Sequence, residues 1–214
     1  PYWYNERADF YKDQEKHEEA LLDYTTAIEM SVDEYQTARA LNNRANIYWI
    51  HQKWDLCIED YSKAIEIYPA NVEYSNRGRI YKKLKDYDNA IIDLTKAIEL
   101  DGGEDPDYYR YRADIYTEME DYTAALRDFD KTIELAPENP YYYNNRADFY
   151  EDQGKHDEAL MDFAKAIEVS TDDYQTSRAL NDRANIYWIH QKWDLCIEEY
   201  TKAIEIYPSN VEYS

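Results

Sequence analysis

Glycine and proline are scarce in this sequence, 4 and 6 among 214 residues, which argues against sheets, tight strand hairpins and long loops. No apolar run approaches the roughly 18 residues that a membrane-spanning helix needs. Basic residues are outnumbered, 24 Lys and Arg against 46 Asp and Glu, for a net charge of -22. Bare nucleic acid is thereby an unfavourable partner, because phosphate binding needs a cationic face, and basic or neutral ligands are favoured. Cysteine is limited to Cys57 and Cys196. What the chain has is 33% charged and 16% aromatic residues, the composition of an ordered, soluble chain.

It also has repetition. Residues 1–75 return as 140–214 with 58 of 75 positions identical, and Arg44 to Glu59 return unchanged as Arg183 to Glu198. A shorter unit repeats inside this period: Ala27, Ala64, Ala97, Thr132, Ala166 and Ala203 each lead an Ile-Glu phrase, at spacings of 37, 33, 35, 34 and 37 residues. Six units result, at about 1–37, 38–70, 71–105, 106–139, 140–176 and 177–209, with 210–214 opening a further one. The slot of Ala8 holds only small residues (Ala45, Gly78, Ala113, Ala147, Ala184), and the slot of Tyr11 is always Tyr. Ala or Cys fills the slot of Ala20; Tyr, Leu or Phe fills that of Tyr24.

These slots resemble the tetratricopeptide repeat family over essentially the whole chain. The resemblance implies an all-α, right-handed solenoid of helix-turn-helix repeats, used as a non-catalytic scaffold whose first helices line a concave groove for a peptide or partner protein. There are departures. Arg occupies the position before the small slot in every unit, where the family has Leu, and the turn proline is kept only as Pro69, Pro137 and Pro208.

Helical spacing of Tyr4, Ala8 and Tyr11, then Ala20, Tyr24, Ala27 and Ile28, gives two amphipathic helices per unit without reference to any family. Polar turns such as Gln14 to His17 separate them. Ser31-Val32-Asp33-Glu34 offers a Ser-x-x-Glu cap, from which the first helix of the second unit starts about one turn early. Asp101-Gly102-Gly103-Glu104-Asp105-Pro106 reads as a turn with a helix-initiating proline; it lacks the ligand spacing of a calcium loop. Cys57 and Cys196 share one slot four units apart, too far to be bridged, and are expected to be small buried side chains.

The arginine before each small slot has a matching acid: Arg7 and Asp23, Arg44 and Asp60, Arg77 and Asp93, Arg112 and Asp128, Arg146 and Asp162, Arg183 and Glu199. Pairing across each hairpin is the expectation, with a ligand-binding ladder of arginines as the alternative. Catalysis finds no support. The four histidines, His17, His51, His156 and His190, lie at turns or helix ends with no nucleophile beside them, and no phosphate-cradling glycine loop exists. No enzyme activity, cofactor or metal is expected.

Function is therefore expected on the groove, at the slots of Tyr2, Asn5, Asp9, Lys12 and Asp13. In the second unit these are Arg39, Asn42, Asn46, Trp49 and Ile50; in the sixth they are Arg178, Asn181, Asn185, Trp188 and Ile189. Paired Asn side chains can bond a peptide backbone, and Trp beside Ile can anchor an apolar side chain. The basic clamp for a C-terminal carboxylate, known in some family members, is not reproduced. Of the 17 differences between the two copies, 13 fall in residues 1–38. Ligand binding, recent duplication and contact with a neighbouring chain each explain the conserved second unit. Trp54 and Trp193 are expected in the core. Residues 210–214 repeat the opening of the third unit, Asn71 to Ser75, so head-to-tail assembly into oligomers or filaments is the alternative function. No secretory segment is recognised; Pro1 at the start is compatible with a removed leader, and the reading leaves the compartment open while favouring the cytoplasm.

Overall fold

The computed structural model describes residues 1–208; the expected restart at 210–214 lies outside the described residues. Twelve helices, and no strand among the described residues, make up the fold: α1 (Tyr2–Asp13), α2 (His17–Met30), α3 (Glu34–Ile50), α4 (Trp54–Ile67), α5 (Asn71–Lys83), α6 (Tyr87–Asp101), α7 (Pro106–Glu118), α8 (Tyr122–Leu135), α9 (Pro140–Asp152), α10 (His156–Val169), α11 (Asp173–Ile189) and α12 (Trp193–Ile206). The chain divides into two compact units, Pro1–Ile115 and Tyr116–Ser214. Within each, helices stack as antiparallel hairpins, the α-solenoid arrangement.

The small slots explain the close packing. Ala8, Ala45, Ala113, Ala147 and Ala184 on the first helices, and Ala20, Cys57, Ala90, Ala125 and Ala159 on the second, have no exposed surface. A Cβ at Gly78 would stand 3.2 Å from Ala90 O, Asp93 Cβ and Leu94 Cγ, so α5 and α6 approach as closely as backbone allows. Tyr24, Tyr61 and Phe163 fill the space beside these contacts and are fully buried, each burial adding roughly 2–3 kcal/mol. Burial also pushes the Cys57 thiol up to about 11, and its Sγ donates to Ala45 O. That is an inert, space-filling thiol.

Helix starts depart from the sequence reading in one respect. α3 is longer than α1, 17 residues against 12, as an early start requires, but its cap is Asp33 rather than Ser31. Asp33 Oδ1 accepts from Gln36 N at 2.8 Å, while Ser31 Oγ accepts from Asp33 N and so sits one step further out. Asp172 and Ser170 repeat the arrangement before α11. The turn between helices of each hairpin places one residue in the left-handed region: Glu15, Gln52, Lys85, Glu120, Gly154 and Gln191, with φ of 56–69°. Only one of these is the glycine that such a turn favours.

Candidate functional site: the first-helix face

Each hairpin inside a unit is tied by its arginine. Arg44 donates through Nε and Nη2 to the two oxygens of Asp60 at 2.8 and 2.7 Å. Arg7 with Asp23, Arg77 with Asp93 and Arg146 with Asp162 form the same fork at 2.5–2.8 Å. Glu199, one methylene longer, gives Arg183 a single oxygen, Oε2, for both donors. A further bond was not legible in the sequence. The remaining Nη1 reaches back to the second helix of the preceding hairpin: Arg44 to Thr25, Arg77 to Ser62, Arg112 to Thr95 and Arg146 to Asp130, at 2.6–2.9 Å. Arg44, Arg77 and Arg146 are thereby bonded through all three guanidinium nitrogens to the protein itself.

Of the residues expected on the groove, the structure sets some aside. Arg39 is committed to Glu6 at 2.8 Å and to Asp9, and Arg178 to Asp148; both join neighbouring first helices. Asn5 and Asn144 are fully buried, their Nδ2 donating to Gln36 and Gln175, so the second slot of α1 and α9 is interior rather than groove. Trp193 is 47% exposed, not core, and Trp54 is half-buried, packed against the cluster of Ala45, Cys57, Tyr61 and Ile80: both open the second helix of their hairpin.

The others remain on the surface. Asn46 Oδ1 accepts from Tyr61 Oη at 2.6 Å, and Asn185 from Tyr200 at 2.6 Å, so each carboxamide is oriented from behind. Asn42 Oδ1 accepts from Asn76 of α5 at 3.5 Å. Asn181 donates to Asp182 at 3.1 Å. Ile50, Trp188 and Ile189 are 55–60% exposed, and Trp49 and Trp188 lie edge-to-face on Trp54 and Trp193.

Arg79 extends this surface beyond α3. Its guanidinium lies 5.1 Å from the ring centre of Trp49 and 4.8 Å from that of Tyr111, joining α3, α5 and α7 by cation–π contacts. Among the described residues no carboxylate stands within ion-pair distance of it. Beside it opens a pocket of about 170 Å³ lined by Val72, Ser75, Asn76, Arg79, Tyr108 and Tyr111, together with Asp105 and Asp107. Sequence reasoning missed Arg79, Asn76 and Tyr111. The signal was there: Arg79 is the sole cation in a slot otherwise holding Asp9, Asn46, Asp114, Asp148 and Asn185.

The two copies differ in charge at one point of this face. Asp9 accepts from Tyr24, Arg39 and Asn43. Around Asp148 the partners are replaced: Phe163, Asp182 and Glu151 stand where Tyr24, Asn43 and Lys12 do. Burial pushes the Asp148 carboxyl up to about 7, against the pull of Arg178 and with Asp182, Glu151 and Asp152 adding to the rise. Burial likewise raises Asp182.

Family models described as tetratricopeptide repeat match residues 4–31, 38–71, 72–103 and 138–209, and one described as TPR repeat matches 113–154. Serine/threonine-protein phosphatase 5 of Homo sapiens is 39% identical over 77 residues, 36% of this chain and 15% of that protein. Small glutamine-rich tetratricopeptide repeat-containing protein 2 of Saccharomyces cerevisiae is 34% identical over 74 residues, 34% of this chain and 20% of that protein. The matched stretches thus span a fifth or less of these relatives. Among solved structures, Pseudomonas aeruginosa pilF superposes with a TM-score of 0.72 at 18% identity, covering 98% of this chain and 93% of that one. YrrB, described as a TPR protein with an unusual peptide-binding site, gives 0.60 at 24%, covering 86% and 92%.

Proposed function

Because this chain belongs to the tetratricopeptide repeat family, whose members serve as protein-interaction scaffolds, we propose that it binds a peptide or partner protein, without catalysis, on the face formed by α3, α5 and α7. The observation that carries this reading is Arg79, stacked between Trp49 and Tyr111 with no acidic partner among the described residues. A guanidinium held on two rings keeps its N–H donors for a ligand's carbonyl or carboxylate oxygens. Asn42, Asn46 and Asn76 add amide groups along the same path, and Trp49 with Ile50 offers an apolar anchor. The net charge of -22 favours a basic or neutral ligand overall, met locally by Arg79 through its main-chain carbonyls. Asn181, Asn185, Trp188 and Ile189 form a second, related site in the other unit, so a bivalent partner would gain from effective concentration.

Peptides selected from a random library on the full chain, and titrated against Arg79→Met and Trp49→Ala, test this. Each variant is expected to weaken binding about tenfold or more. Equal binding to all three proteins would move the site elsewhere.

Head-to-tail association is a second reading, favoured by α12. Ile197 and Ile204 are 65% and 52% exposed, whereas Ile65, the equivalent of Ile204 in the first copy, is 8% exposed. In the first copy α5 packs against α4; in this reading a helix of another copy would take the corresponding place against α12. Light scattering across a concentration range separates the two: a constant monomer mass would remove association between copies.

A further inference from the structure

All four histidines of the chain are engaged with one another. His17, the first residue of α2, places Nδ1 2.9 Å from Nε2 of His51, which follows α3 in the next hairpin. Further along, His156 and His190 repeat the contact at 2.7 Å. The rings meet edge-to-face at 4.9 and 4.8 Å between centres. His51 and His190 are exposed, so water and ions reach both pairs.

Two imidazole nitrogens this close cannot both present bare lone pairs; a proton or a cation must lie between them. A proton gives an N–H···N bond. A divalent ion bound at about 2.0–2.1 Å, with its ligands roughly 90–109° apart, would hold the nitrogens about 2.9–3.4 Å from each other. The observed separations of 2.9 and 2.7 Å need to open by at most about 0.7 Å to reach that range. Three adjacent lysines are drawn aside, Lys53 over Tyr48, Lys155 over Tyr150 and Lys192 over Tyr187. We propose that each histidine pair is a two-nitrogen site for a transition-metal ion of the Zn²⁺ and Cu²⁺ class, clamping two neighbouring hairpins together.

Imidazole nitrogen selects this class over Mg²⁺ and Ca²⁺, which take oxygen ligands. No cluster of three or more His, Cys, Asp or Glu suited to a metal occurs among the described residues, so water completes the coordination and the ion exchanges freely. On binding, the donor ring moves its proton to the far nitrogen, and both near lone pairs face the ion. The copies are unequal. Glu151, close enough to His156 to interact with it electrostatically, replaces Lys12 of the first copy, so the second pair binds the cation more tightly.

Calorimetric titration of the full chain with Zn²⁺ at neutral pH tests the proposal against His51→Asn, His190→Asn and the double variant. Asn keeps a polar side chain at an exposed position, and circular dichroism verifies that each variant is folded. Two ions per chain are expected for the parent, one for each single variant and none for the double, with the parent's Tm raised by Zn²⁺ and unmoved by equal Mg²⁺. Uptake that survives in the double variant would assign the ion to surface carboxylates and overturn the proposal. So would a parent that takes up no Zn²⁺.

Discussion

Tyr61 donates its phenolic hydrogen to Asn46 Oδ1 at 2.6 Å, so a fully buried ring on α4 sets the orientation of a carboxamide on the face of α3. Tyr200 does the same for Asn185. Leu94, Phe129 and Phe163 occupy the same slot elsewhere, which separates the packing role of this position from its hydroxyl. Tyr61→Phe is therefore expected to keep the fold and cost about 1 kcal/mol, the net worth of one hydrogen bond, measured by urea denaturation. It should also weaken selected peptides more than this stability loss would.

The hairpin ion pairs call for a double-mutant cycle. Asp93 is 4% exposed at its side chain and forked by Arg77. Arg77→Met strands a buried carboxylate and is expected to destabilise by about 3–5 kcal/mol, whereas Arg77→Met with Asp93→Leu should recover most of that loss. A neutral Arg77→Met that abolishes peptide binding would instead support the arginine ladder as a ligand site.

Acid should favour folding near Asp148. Its folded pKa of about 7 exceeds the ordinary aspartate value of about 3.9, so between these limits the folded chain holds a proton that the unfolded chain releases. The contribution is full below about pH 4 and is lost as pH rises through about 7. Tm measured across this range should fall with pH in the parent, and Asp148→Asn should flatten the slope.

Left-handed turn residues offer a fourth stability test. Gly154 takes φ 69° with open space around its Cα, whereas Gln52 takes φ 56° with a side chain. Gly154→Ala should cost about 1 kcal/mol, and Gln52→Gly should stabilise by a smaller amount, since glycine also gains freedom in the unfolded chain. Thermal denaturation reads both.

The fold was legible because periodicity and small slots are local signals: Ala8, Ala20 and Tyr24 announce helix crossings from spacing alone. The Arg7–Asp23 relationship was legible for a similar reason, as matched slots inside one hairpin. What escaped notice joins different slots of different hairpins. Arg79 meets Trp49 and Tyr111 from three separate units, and His17 meets His51 from unlike turn positions, so no single repeat displays either. Asn5 and Asn46 shared a polar residue type on the same helical face, yet one is interior, because α3 carries an extra turn that brings Gln36 over Asn5.

The backward bond of the hairpin arginines bears on how the array comes apart. Thr25, Ser62, Thr95 and Asp130 receive that bond in turn, but the corresponding residue behind Arg183 is Ala164, which has no side-chain acceptor. In a stack whose cohesion is a sum of nearest-neighbour couplings, α11 and α12 are held to α10 by one polar link fewer. Fraying should begin there, and amide exchange should register that hairpin opening as a separate, earlier event than the rest of its unit.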